Sequence, residues 1–252
     1  MKKREFTLQR RNIPAIRISK YFTDCGVMSR RAADAAVENG EVKINGLTAV
    51  LGQKVTPGVD EVTWKGKKIT LPATPAKMTI MLNKPRGYLT TLSDDKGRHT
   101  VAELVADAGV RLYPIGRLDM DSDGLLLLTN DGELANLLSH PSHEVDKVYL
   151  AYVDGHVTAE QMNNMTRPIE IDGKMTSPAR VRKAAFNAVE TALEVTIHDG
   201  RNRQVRRLCE REGLRVLKLT RVAEGPLLLG DLEEGKWRRL SDKEIRKLKG
   251  SN

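Results

Sequence analysis

The sequence predicts an α+β protein built as two units. Helix-like and strand-like segments mix without the regular βαβ rhythm of a doubly wound sheet. A Pro- and Ala-rich run, "LPATPAKM" (71–78), separates a short N-terminal part from a longer C-terminal one. The chain has 252 residues, 40% hydrophobic and 30% charged, which suits two modest globular cores. With aromatic residues at 4%, those cores must be mostly aliphatic. The boundaries read as a basic arm over 1–13, a first unit over 14–72, a linker over 73–78 and a second unit over 79–252.

In the first unit, Ile16, Tyr21 and Phe22 are placed to form one face of a short helix. Ser29 is a good N-cap for a second helix through Glu38, and Asn39-Gly40 ends it, because Gly accepts a left-handed cap. "EVKING" and "LTAVL" flank Asn45-Gly46, a strong two-residue hairpin signal. "EVTWKGKKI" adds further strand.

In the second unit, "MTIMLNKPRGYLTT" is an apolar strand running into the turn Lys84-Pro85-Arg86-Gly87. "HTVAELV" is helical and "LYPIGRLD" is β-like. "GLLLLTN" has no polar alternation and reads as a buried strand or a short buried helix. "DGELANLLSHP" places Leu134, Leu137 and Leu138 at helical spacing, and "DKVYLAYVDG" alternates as a strand. A capped helix "TAEQMNNM" follows, then strands "ARVRKAAF" and "TALEVTIHDG". "RNRQVRRLCEREG" is a basic helix ended by Gly213, "RVLKLTRVAEGPLLLG" is strand-like, and Ser241 caps a terminal helix.

Charge narrows the function. The net charge of +9 points to a polyanion, and nucleic acid is the commonest one. One cluster comprises Lys2, Lys3, Arg4, Arg10, Arg11, Arg17, Lys20, Arg30 and Arg31. A second holds Arg201, Arg203, Arg206, Arg207, Arg211, Arg215, Lys218 and Arg221. Two separated basic surfaces suit a phosphate backbone better than one small anion. Two distant cysteines, Cys25 and Cys209, make neither a disulfide framework nor a zinc pattern and fit a reducing cytosol. No apolar run follows the basic N-terminus or approaches membrane-spanning length.

The stretch "GRLDMDSDGLLLLTNDG" (116–132) concentrates the chemistry, with Asp119, Asp121 and Asp123 at alternate positions. A calcium loop starting at Asp119 needs a bidentate Glu at its twelfth position, where this chain has Asn130, and it needs a helix before it, where the chain has Pro114 and Gly116. Metal binding is therefore not expected. His140 and His143 have Pro141 between them and no further ligands, which favours a structural or surface role. Cys209 lies in a basic helix, where its thiol is either acidified or simply small and buried. No Walker loop, dinucleotide fingerprint or nucleophile elbow is present. An extended run would put all three aspartates on one face, repelling a phosphate ligand. A turn after Asp119 instead leaves one carboxylate facing a pocket, with the others bonded to backbone amides. That carboxylate needs a cation, which the arginine-rich helix can supply.

Two resemblances follow from these segments. The first unit, with "SRRAADAAVENGEVKING" and its small hairpin, resembles an S4 RNA-binding domain. This implies phosphate contacts from Arg17, Lys20, Arg30, Arg31 and Lys43. Adjacent arginines at a helix start are not explained by the helix dipole, which favours acids there. "LNKPRGYLTT", "GRLDxDSxGLLLLTNDG", "DKVYL" and "DGRNRQVRRLCEREG", in that order behind the first unit, resemble bacterial ribosomal RNA pseudouridine synthases of the RsuA/RluB/RluE/RluF type. The likeness spans roughly residues 14–245.

The resemblance implies a mainly antiparallel mixed sheet in the second unit and a cofactor-free conversion of uridine to pseudouridine. Asp119 is the implied catalytic aspartate, as nucleophile or base. Arg206 is its implied cationic partner, and Tyr149 stacks on the uracil and helps to remove the C5 proton. Lys84, Arg86, Arg117, Arg201, Arg203 and Arg207 are further candidate RNA contacts. Leu217 and Leu219 are candidates for the pocket wall or for ordinary core. The target uridine must leave its stack to reach Asp119, at a cost of a few kcal/mol. The H-D-G-R-N-R-Q-V-R-R form favours large-subunit (23S) over small-subunit (16S) RNA. The expected partner is ribosomal RNA as a stem-loop or pre-ribosomal particle, met by a cytoplasmic monomer without a membrane. A non-catalytic ribosome-assembly factor is the rival reading, though pure binding needs no buried acid. A nucleoside glycosidase would not need an S4 domain.

Overall fold

The computed structural model describes residues 14–71, 76–139 and 145–250. The basic arm, part of the linker and the His140/His143 pair lie outside them. The chain divides into two compact units, 1–76 and 77–252.

The N-terminal unit runs β1 (Ile16–Arg17), α1 (Ile18–Asp24), α2 (Arg30–Glu38), β2 (Val42–Ile44), β3 (Leu47–Thr48), β4 (Lys54–Val55), β5 (Val62–Trp64) and β6 (Lys67–Ile69). The Ser29 side chain caps α2 by accepting from the Ala32 amide at 3.2 Å. Asn45 and Gly46 both have positive φ, the geometry a two-residue hairpin between β2 and β3 requires. "EVTWKGKKI" is not one strand but a second hairpin, β5–β6, turning at Lys65-Gly66, which also have positive φ. Ile16 is not on the helix face. It pairs with Val55 in β1–β4, and Ile18 takes the inward place beside Tyr21 and Phe22. These residues pack on Ala33, Ala36 and Val37 of α2 and on Val42, Ile44 and Val62 of the sheet.

The C-terminal unit runs β7 (Thr79–Lys84), α3 (Val101–Leu104), β8 (Tyr113–Ile115), β9 (Asp123–Thr129), α4 (Gly132–Ser139), β10 (Lys147–Asp154), α5 (Ala159–Met165), β11 (Glu170–Ile171), β12 (Lys174–Met175), β13 (Arg180–Phe186), β14 (Glu190–Ile197), α6 (Gln204–Arg211), β15 (Val216–Glu224), β16 (Leu227–Leu228), β17 (Trp237–Arg239) and α7 (Asp242–Leu248). A nine-stranded sheet has the order β13-β14-β10-β15-β9-β7-β17, with β16 on β15 and β8 on β9. Its ladders are antiparallel except β9–β15, which is parallel. The fold is α+β.

"LLLL" is strand, not helix, and its lack of alternation has a simple cause: both faces of β9 are buried. Leu126 and Leu128 pack with Ile80 and Leu82 on one face. Leu125 and Leu127 pack with Met81 and with Leu134, Leu138 and Leu248 of α4 and α7 on the other. The first of these faces also carries Tyr149, Ala151 and Val153 of β10 and Leu208 and Cys209 of α6. Cys209 is core: burial pushes its thiol up to about 12. Among the described residues no helix is long and apolar enough to cross a membrane, and no group of three acidic, Cys or His side chains converges on a metal site.

Candidate active site

The backbone turns after Asp119, with the Ser122 amide donating to the Asp119 carbonyl at 3.1 Å. The segment 84–90 fixes this turn from outside. Lys84 is fully buried and donates to the carbonyls of Pro85, Asp119 and Ser122 at 3.0, 3.1 and 2.8 Å. The Gly87 amide donates to the Met120 carbonyl at 2.8 Å. Thr90 Oγ1 donates to the Leu118 carbonyl at 2.7 Å and accepts from the Leu118 amide at 3.2 Å. Lys84 is therefore not an RNA contact. Its three N–H groups are spent on carbonyls inside the protein, and burial pushes its pKa down to about 8 against the pull of Asp123, Asp119 and Asp121.

The three aspartates meet different partners. Asp123 is buried, with Arg86 Nε at 3.1 Å, Lys218 Nζ at 3.8 Å and a short hydrogen bond from Thr220 Oγ1. Asp121 takes Arg203 Nη1 at 3.1 Å and Arg206 Nε at 3.3 Å. Burial raises the Asp121 pKa, but the two guanidinium groups hold it below the usual carboxylate value. Asp119 has only Arg203 Nη1, at 3.9 Å, and its carboxylate has no hydrogen bond among the described residues. The expectation that Asp121 and Asp123 bond backbone amides holds only in part: Asp121 has a backbone hydrogen bond at its own amide beside its two guanidinium partners, whereas the partners of Asp123 are cations and a hydroxyl.

The expected Asp119–Arg206 pair is corrected as well. Helix α6 begins at Gln204, later than "RNRQ" suggests. Arg203 is its N-cap residue, with φ +51°, a left-handed conformation unusual outside Gly. That conformation turns its side chain toward Asp119 and Asp121. Arg206, one turn further on and 7% exposed, reaches the Asp121 carbonyl instead, with Nη2 at 2.9 Å.

A cavity of about 210 Å³ opens at Asp119. Its apolar wall is Leu118, Tyr149, Ile197, Val205 and Leu219. Its polar wall is Arg117, Asp119, Ser122, Arg201, Asn202, Arg203 and Gln204, with Gly200. This is below the ~300–1,000 Å³ typical of drug-sized ligand sites, and one face of the cavity is apolar while the other is cationic. Such a site suits one flat, polar ring whose phosphates stay outside.

Leu219 lines this cavity, but Leu217 does not. The β10–β15 ladder shifts register between Tyr152 and Val153, leaving Leu217 without a partner across it. Leu217 is accordingly 36% exposed, and its carbonyl accepts from Arg86 Nη2 at 3.3 Å. Arg86 is committed to Asp123 and Leu217, and Arg207 donates to Asn202 at 3.3 Å. Both remain at least partly exposed beside the site. In the N-terminal unit Arg17, Arg30, Arg31 and Lys43 are exposed with no ion pair among the described residues, whereas Lys20 pairs with Asp24 at 2.6 Å.

Sequence reasoning missed Lys84 and Thr90 as supports of the turn, and Arg221 as a buried cation. The first two sit in "NKPRGYLTT", where a lysine ending an apolar strand is the available signal. Arg221 is among the largest fully buried side chains, and nothing in its local sequence marks it so.

Comparison with known proteins identifies the family. Residues 78–211 match the family model described as RNA pseudouridylate synthase. An uncharacterised RNA pseudouridine synthase of Aquifex aeolicus is 43% identical over 92% of this chain and 93% of its own length. The ribosomal large subunit pseudouridine synthase B of Bacillus subtilis is 40% identical over 92% of this chain and 95% of its own. The dual-specificity RNA pseudouridine synthase RluF of Escherichia coli is 37% identical over 92% of this chain and 77% of its own. A crystal structure of a pseudouridylate synthase superposes with a TM-score of 0.65 at 30% identity, over 92% of this chain and 99% of that one. The match of more than half the chain to this family model, with relatives 37–43% identical over nearly its whole length, shows that the chain belongs to the RNA pseudouridylate synthase family and is an isomerase.

Proposed function

We propose that the protein converts a specific uridine of large-subunit ribosomal RNA to pseudouridine, with Asp119 acting on the everted nucleotide. The observation that carries this reading is the inequality of the three aspartates. Two are neutralised by close cations, while Asp119 faces the cavity with a single guanidinium 3.9 Å away. A carboxylate so placed is free to act as nucleophile or base on the ribose or uracil. Tyr149 and Leu219 then flank the ring, and Arg117, Arg201 and Arg203 meet the backbone as it enters. The C1′–N1 bond broken is replaced by a C1′–C5 bond in the same nucleotide without redox change, and a carboxylate and a phenol supply the nucleophile and proton chemistry, so this reading calls for no cofactor. The choice of ribosomal RNA leans on the Bacillus relative and on "HDGRNRQVRR". In this reading the N-terminal unit is an S4 domain, whose exposed Arg17, Arg30, Arg31 and Lys43 hold folded RNA by its phosphates.

The test is tritium release from C5-labelled uridine in ribosomal RNA transcripts, without added cofactor. Wild-type protein releases tritium. Asp119→Asn keeps the fold and releases none above background. Undiminished release from the variant removes Asp119 from the chemistry.

A further inference from the structure

Behind Tyr149 lies a charged pair that the chemistry above does not use. Arg221 and Glu224 are each 1% exposed and sit 3.3 Å apart, Nη2 to Oε2. They are three residues apart on β15, and in a regular strand such residues point to opposite faces. A register shift brings them together. Lys147 faces Glu224 and Val148 faces Ala223, but Tyr149 then faces Arg221, so Val222 is the extra residue of a β-bulge. The bulge turns Arg221 onto the face that holds Tyr149 and, across from Lys147, Glu224. The guanidinium is then held on two sides and faces the tyrosine. Nε donates to the Leu125 carbonyl at 2.7 Å, Nη2 sits 3.3 Å from Glu224 Oε2 as an ion pair without a hydrogen bond, and Tyr149 is the residue directly opposite Arg221 across the ladder. Leu125 follows Gly124, whose φ is +109° and whose missing Cβ lets the two backbones close at Gly124–Arg221. The strand that leaves the Asp119 turn is therefore clamped to the residue that backs the tyrosine.

We propose that Arg221 is a positioning residue for Tyr149, its guanidinium locked by Glu224 and by the Leu125 carbonyl so that the phenol oxygen is held toward the cavity for the late proton transfer from C5. This rests on the reading of Tyr149 and Asp119 given above. In that step the C1′–C5 bond has already replaced C1′–N1. C5 gives its proton to the phenol oxygen, the phenol passes its own proton to solvent, and N1 takes one from solvent, so no net charge changes. Burial alone raises the phenol's pKa, and a fixed neighbouring cation opposes that rise.

The test replaces the pair together, Arg221→Met with Glu224→Leu, because a buried ion pair exchanged for apolar side chains of similar volume commonly leaves stability intact. Pseudouridine formation is timed on RNA carrying protium or deuterium at C5. The double variant is expected to be slower by about 10- to 100-fold, within the range of lost acid–base assistance, and to show a larger isotope effect than wild type. Tyr149→Phe is expected to do the same. Combining all three changes is expected to cost no more than about twofold beyond Tyr149→Phe, as for residues acting as one unit. Arg221→Lys keeps the charge and the Glu224 partner but loses the fork. It is expected to raise the isotope effect in the same direction, and it carries the test if circular dichroism shows the double variant unfolded. An unchanged isotope effect in the folded variant, or losses that multiply with Tyr149→Phe, overturns the assignment. If Tyr149→Phe itself behaves as wild type, the reading of the tyrosine has failed. If Tyr149→Phe is slowed and the Arg221 variants are not, this inference alone has failed.

Discussion

At the scale of single residues, the site depends on placing one carboxylate where others would interfere. Alternating aspartates are legible in "GRLDMDSDG", and so is the need for a turn that separates them. Which cation serves which acid was not legible, because it depends on where α6 starts, and a helix start is blurred when Arg, Asn and Gln all fit the first turn. Leu217 and Leu219 looked equivalent for a similar reason. Only a register shift in β15 separates them, and bulges leave no mark in an apolar strand. Gly124 gives the sharpest residue-scale prediction. A Cβ there would lie 2.7 Å from the Arg221 amide nitrogen, closer still to its carbonyl, at a φ that side chains rarely adopt. Gly124→Ala is expected to destabilise the protein by at least about 2–3 kcal/mol, the upper range for one strained backbone position, read as a lowered urea midpoint. A midpoint equal to wild type would show that β9 and β15 are not pressed together here.

At the scale of elements, most of the fold could be read because caps and turns are local chemistry. Ser29, Thr158 and Ser241 each accept from an amide three residues on, as their positions suggested. The parallel β9–β15 ladder and the short β1–β4 pairing were not readable, since both join segments far apart in sequence. Helix α7 supplies an element-scale prediction. Glu244 pairs with Arg238 of β17 at 2.8 Å and closes the Ser241 capping box. The Arg238 guanidinium, followed by the Ser241 bonds, outweighs burial and holds the Glu244 carboxyl at about 2, against an ordinary value near 4.5. A depressed carboxylate stabilises the fold fully above its unfolded pKa and loses that contribution as pH falls toward its folded one. The melting temperature is therefore expected to drop between about pH 4.5 and pH 2. Glu244→Gln should lower it at neutral pH and flatten the drop within that window. A variant with the wild-type acid profile would remove α7 docking from the account of acid stability.

At the scale of the whole molecule, a basic chain with a small cationic-rimmed cavity has to combine non-specific phosphate attraction with selection of one base. The charge bias was legible from composition alone. Which uridine is modified is not, because phosphate contacts carry no sequence information. If the N-terminal unit grips RNA through its exposed arginines, Arg30→Ala with Arg31→Ala should weaken binding to ribosomal RNA and reduce the salt slope of log K by about 1 per arginine. An unchanged slope would remove that face from the RNA interface. The most direct trial of the central claim is to map pseudouridine in the ribosomal RNA of cells lacking the gene, restored with either wild-type protein or Asp119→Asn. The expected result is loss of modification at a large-subunit uridine, returned by the wild-type protein and not by the variant. Restoration by Asp119→Asn would contradict the claim that this carboxylate performs the isomerisation.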